Sequence, residues 1–256
     1  MSLSDILVCL DATGASEARL KLALRLAHRH QAFLTGAYVL DSGTDAAARA
    51  EQVEQRFREA TRLQGTHSEW RLIDGPNTDD VITLAKAVDL AVLGQYSGSA
   101  NGSGLRPDDV ATACGRPLLV VPYVGEFVTV GQRVLIAWDG TREATRALND
   151  ALPVIEGAES ATVMTVMSQE KELPRVHAEL RQVVNHLDHH GVPAKAEETL
   201  RGDMTISDLL LSRAADLGAD MIVAGAYHHS QLREALIGGV SRDLLRHMTV
   251  PVLMSH

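Results

Sequence analysis

The sequence predicts an α/β protein made of two tandem Rossmann-like domains, each an open five-stranded parallel sheet flanked by helices. Short apolar runs rich in β-formers alternate with segments of helical periodicity. Such alternation implies parallel strands joined by right-handed helical crossovers. The alternation is gone through twice. Asp5–Asp11 (DILVCLD) and Arg133–Asp139 (RVLIAWD) end in aspartates offset by 128, each followed two positions later by a threonine, Thr13 and Thr141. Asp89–Tyr96 (DLAVLGQY) matches Asp220–Tyr227 (DMIVAGAY), with Gly94 and Gly225 offset by 131. Gly115–Tyr123 matches Thr249–His256, with Pro117 and Pro251 offset by 134. Three ordered matches at slowly drifting offsets read as a tandem duplication.

The second half shows its elements most clearly. Val134–Trp138 is a β-forming run, and Thr141–Ile155 carries Ala144, Ala147, Leu148, Ala151 and Leu152 at helical spacing. Ala161–Met167 reads as a second strand. Leu173–His190 reads as a helix stopped by Gly191 and Pro193. Ala194–Thr199 is a third strand, Ile206–Leu217 a helix, Met221–Ala224 a fourth strand, Val240–His247 a helix and Val250–Met254 the last strand. The first half repeats the order, with helices over Leu20–Ala27, Ala46–Leu63 and Asp79–Ala87. The segment Tyr123–Gln132 is the expected boundary, giving domains over 1–125 and 130–256.

Composition excludes several classes. Two domains of this size bury a core without disulfides, and Cys9 and Cys114 suit a reducing cytosol. Net charge is −9, from 24 Lys+Arg and 33 Asp+Glu, split 12 to 16 and 12 to 17 between the halves. No basic stripe suggests nucleic acid, and no apolar run is long enough to span a membrane. The start lacks the pattern of a signal peptide, so the expected location is cytoplasmic. Histidine is uneven, with 3 in the first half and 8 in the second.

In open parallel sheets, ligands bind beyond the carboxyl ends of the strands, where the strand order reverses. Asp139, Val166 and the loop from Gly225 to Ser241 fall there, and Gly238-Gly239 directs backbone N–H groups from a helix start. The chain resembles a tandem universal stress protein through its first strands ending in Asp, the VAGAYHH exit of the fourth strand, GGVSRDLL and the closing VPVLMSH. ATP-binding members of that family carry a Gly-x2-Gly-x9-Gly-Ser/Thr loop. By that resemblance Gly225 matches the first glycine, His228 replaces the second, Gly238 matches the third and Gly239 replaces the Ser/Thr, with Ser241 a further hydroxyl. Asp139 matches the family's aspartate near ribose and adenine, and Val166 the residue whose backbone meets adenine. In the first half the corresponding loop has no glycine pair, and Asp108-Asp109 occupies the helix start, where it repels phosphate.

Plainer roles compete at several positions. Asp11 and Asp139 suit helix N-caps as well as site carboxylates. His186 and His190 in HLDHH share a helix face without an evident third metal ligand, so no metal is expected. His228-His229 is a ligand-contact or pH-sensitive pair, or simply exposed loop. Walker, nucleophile-elbow, HExxH and CxxC patterns are absent, and a single aspartate after each first strand argues against a receiver domain. The expectation is a non-enzymatic stress-response protein acting through a protein partner or small ligand. The alternative is an ATP-binding switch seated in the C-terminal domain. The two domains are expected to pack as an intramolecular pseudo-dimer, with the apolar last strands Leu118–Pro122 and Val250–Met254 as candidates for edge-to-edge contact; further homodimerisation of chains does not follow from the sequence.

Overall fold

The computed structural model describes residues 2–40, 43, 45–75, 78–96, 98, 104–226 and 239–256. The chain divides into two compact units, Met1–Val128 and Thr129–His256.

In the N-terminal unit the elements run β1 (Asp5–Leu10), α1 (Ala15–His30), β2 (Phe33–Val39), α2 (Ala46–Gln64), β3 (Ser68–Ile73), α3 (Thr78–Lys86), β4 (Leu90–Gly94), α4 (Pro107–Cys114) and β5 (Leu118–Val121). Its strands are all parallel, in the order β3-β2-β1-β4-β5. Strands β1, β4 and β5 are buried almost throughout, as expected where helices cover both faces of a parallel sheet.

The C-terminal unit runs β6 (Arg133–Ala137), α5 (Arg142–Ile155), β7 (Ser160–Met167), a single 3-10 turn at Glu170–Glu172, α6 (Leu173–His189), β8 (Ala194–Leu200), α7 (Ile206–Asp216), β9 (Met221–Gly225), α8 (Gly239–His247) and β10 (Val252–Ser255). Its parallel order is β8-β7-β6-β9-β10. The strand order reverses between β6 and β9, which opens a crevice beyond their carboxyl ends. β8 is the polar strand at one end, and Arg213 of α7 and His177 of α6 tie to its Glu197 and Glu198 at 2.7 and 2.8 Å. Charged residues on such a strand keep it from pairing with foreign chains.

The ladders of the two units correspond residue by residue. Ile6 faces Leu90 as Val134 faces Met221, and Gly94 faces Val121 as Gly225 faces Ser255. These pairings reproduce the 128, 131 and 134 offsets read along the chain.

Some bounds differ from the sequence expectation for physical reasons. β10 begins at Val252 because Pro251 has no N–H for the ladder, although its carbonyl still accepts from Ile222 at 2.9 Å. α1 reaches from Ala15 to His30, beyond the expected Leu20–Ala27, because its ends are polar and lack the apolar spacing that marks its centre. Among the described residues, no helix is long and apolar enough to cross a membrane.

Candidate functional site

At the crevice between β6 and β9 lies a cleft of about 280 Å³. Its floor is apolar, formed by Ala137, Met164, Val166 and Ala224 at the strand ends, and Ile206, Leu210 and Leu244 wall it from α7 and α8. Asp139, Thr141, Glu143 and Ser241 supply polar groups at its rim and wall. The fold places these groups by ordinary local rules. Thr205 caps α7 by accepting from the Asp208 N–H at 3.1 Å, and Ser207 of α7 donates to the Asp243 carboxylate of α8, pinning the two wall helices together.

Asp139 sits on the turn after β6, exposed at the mouth of the cleft. Its Oδ1 accepts from the backbone N–H of Thr141 at 3.1 Å and from its hydroxyl at 2.6 Å. Thr141, not Asp139, is the N-cap of α5, accepting from the Ala144 N–H at 3.2 Å. The cap role is therefore taken by the threonine, and Asp139 holds that threonine while facing the cleft. Glu143, in the first turn of α5, is 4% exposed and accepts from Arg142 Nε at 2.6 Å. Sequence reasoning passed over it, although an acid four residues after Asp139 in a first helical turn was a legible signal.

Gly225 ends β9 and lines the cleft, but its glycine identity has a packing cause. A Cβ there would lie 2.8 Å from the Ala144 nitrogen and the Glu143 carbonyl carbon, so only glycine lets the start of α5 approach the strand. Gly239 opens α8 with nothing crowding its Cβ position, and the Ser241 hydroxyl donates to the Gly225 carbonyl at 3.4 Å. The cleft thus brings together Asp139, Val166, Gly225 and Ser241, with Gly239 at the start of the wall helix. His228 and Gly238 lie outside the described residues, as does the His228-His229 pair.

The equivalent place in the N-terminal unit is filled. Arg19 of α1 is 3% exposed, and its guanidinium reaches Asp11 Oδ2 at 2.6 Å and Ser16 Oγ at 3.3 Å. A Cβ on Gly94 would come within 1.6 Å of Arg19 Nη1, so the guanidinium lies against the end of β4. Asp11 is therefore no helix N-cap, a position held by Gly14; it is the counter-ion of a buried arginine. Sequence reasoning missed Arg19 because Asp11 and Gly94, the groups it lies against, come from outside its helix. At the start of α4, Asp108 is 6% exposed and meets Arg106 at 3.3 Å, and Asp109 lies in the same first turn.

His186, His190, Cys9 and Cys114 do not line the cleft. The His186 and His190 rings meet edge to face with centroids 4.7 Å apart, and no group of three metal-ligating side chains occurs among the described residues. Burial pushes the Cys9 thiol up to about 12 and raises that of Cys114, the behaviour of inert core cysteines.

Comparison with known proteins finds similarity to universal stress proteins. A universal stress protein of Synechocystis sp. is 25% identical over 174 residues, which span 68% of this chain but only 57% of that protein. A universal stress protein from Archaeoglobus fulgidus superposes with a TM-score of 0.73 at 16% identity, over 98% of this chain and 95% of that one. A functionally unknown protein from Pseudomonas aeruginosa PAO1 gives 0.66 at 18% identity, over 99% and 92%. At these identities the two structures establish a shared fold. The model of the Universal stress protein family matches residues 131–256. The unit that carries the cleft is thus the part of the chain that matches the universal stress protein family.

Proposed function

We propose that this is a non-catalytic stress-response protein of two duplicated units, and that it works by binding a small ligand in the C-terminal cleft. The observation that carries the reading is the cleft itself. Asp139, Val166, Gly225 and Ser241 are far apart in sequence, yet all four line one crevice at the strand-order reversal of the family-matched unit. The common strand order and the matching ladders of the two units support descent from one ancestral copy.

The ATP-binding switch is the second reading, favoured by the start of α8 at the cleft wall, where Val240 and Ser241 stand at the positive end of a helix. A search for co-purified nucleotide by mass spectrometry, with calorimetric titration of the full chain, tests both. Ligand bound with Asp139-dependent affinity is expected; a chain that takes up no nucleotide or nucleoside overturns the ligand-binding reading.

A further inference from the structure

The turn that carries Asp139 is held from outside the cleft. Among the described residues none of α6 lines the cleft, yet Glu179 of that helix meets the turn on both sides of Asp139. Its Oε1 accepts from the Trp138 indole Nε1–H at 2.9 Å, directly before Asp139. The same oxygen lies against Gly140, directly after it, where a Cβ would stand 2.5 Å away. Gly140 also has φ +76°, a left-handed conformation that glycine adopts without strain. From β7, the Thr165 hydroxyl donates to the Trp138 carbonyl at 2.8 Å, so the residue before Asp139 is fixed through both its ring and its backbone. Between the turn, Thr165 and Glu179 remains a cavity of only about 20 Å³, little free space for the turn to move into. The N-terminal unit lacks the donor and the glycine of this clamp. The positions 128 residues earlier are Leu10 and Ala12, and there Asp11 is held by Arg19 instead.

We propose that Glu179 is a positioning residue for the ligand site: by holding Trp138 and the turn at Gly140, it fixes Asp139 at the mouth of the cleft before a ligand arrives. The inference rests on the ligand-binding reading above and adds to it a residue outside the cleft that governs affinity. A carboxylate on a free turn loses conformational freedom when a ligand engages it. A clamped turn has lost that freedom already, so binding orders less of the chain. The hydrogen bond to the indole requires only an acceptor oxygen, which a glutamine amide also supplies. The surface ion pair of Glu179 with Arg175, 3.5 Å long and on an arginine that is 72% exposed, is not required by the clamp.

The test is calorimetric titration of the full chain with adenosine and, separately, with ATP and Mg²⁺, on the wild type, Glu179→Gln, Glu179→Leu and Trp138→Phe. For each probe that binds the wild type, Glu179→Leu is expected to weaken binding about tenfold and Glu179→Gln to stay within about threefold. Trp138→Phe keeps an aromatic ring and removes the donor, so the comparison survives even if Glu179→Leu folds poorly. It should weaken binding in the same direction, and combining it with Glu179→Leu should add little further loss. Equal losses in Glu179→Gln and Glu179→Leu would assign the effect to charge and overturn the inference. An affinity untouched by both Glu179→Leu and Trp138→Phe overturns it as well, and either result leaves the ligand-binding reading standing. If neither probe binds the wild type up to about 1 mM, the ligand-binding reading falls and this inference with it.

Discussion

The two units share a strand order and a ladder register, yet they treat the same corner of the fold in opposite ways. After β6, Asp139 faces an open cleft; after β1, the corresponding Asp11 is closed off by Arg19. The position equivalent to Arg19, 128 residues on, is Ala147, too short to fill the corner. At the next contact point α8 begins at Gly239 with no acid in its first turn, whereas α4 begins with Asp108 and Asp109. One unit therefore satisfies its own strand-end carboxylate and helix start, and the other leaves both at a cleft. On the proposed reading, a duplicated fold keeps its core and loses a site by internal neutralisation, with no change of topology.

The largest expected effect breaks the closed corner. Arg19→Ala leaves the Asp11 carboxylate, 7% exposed, without its counter-ion, and should cost roughly 3–5 kcal/mol by urea denaturation. Pairing it with Asp11→Asn should recover much of the loss; a cost under about 1 kcal/mol for Arg19→Ala would mean that the arginine does not plug the corner.

The glycines ending β4 and β9 sharpen the contrast. Gly225→Ala pushes a methyl into the α5 backbone at 2.8 Å and should cost about 1–3 kcal/mol whatever stands at position 147. Gly94→Ala instead displaces the Arg19 guanidinium, so its cost should largely vanish in an Arg19→Ala background. Equal, additive costs at both glycines would erase the distinction.

A smaller effect lies in thiol access. Cys9 and Ala137 hold equivalent places on β1 and β6, but Cys9 is 2% exposed while Ala137 lines the cleft. Alkylation near pH 8 should leave Cys9 untouched in the native chain and should modify Ala137→Cys, with protection by bound ligand. Burial raises the Cys9 pKa from 9.0 to about 12, so the folded unit keeps a proton that the unfolded chain releases. The associated stability is complete below pH 9 and is lost as pH rises toward 12. Rapid labelling of native Cys9 would contradict the sealed corner.

How much of this was legible along the chain follows from which interactions are local. The strands and their offsets were readable because strands buried on both faces must be runs of apolar residues, as in Ile6–Leu10 and Val134–Ile136. Asp139, Val166, Gly225 and Ser241 were readable because strand-end positions follow from the strand order. Arg19 was not, since a buried arginine looks like a solvated one until its partners Asp11 and Gly94 arrive from β1 and β4. The reason for Gly225 was hidden likewise: the residue suggested phosphate contact, whereas its lack of a side chain is required by the close approach of α5. The walls from Ile206, Leu210 and Leu244 depend on α7 and α8 meeting, a long-range contact with no local signature.

The most direct test of the contrast between the units is the stoichiometry of ligand uptake by the full chain, read by calorimetry or native mass spectrometry with adenosine. The account predicts one ligand per chain, lost on Asp139→Ala and retained when Arg19 and Asp11 are replaced together. Two ligands per chain, or binding that survives Asp139→Ala, would contradict it.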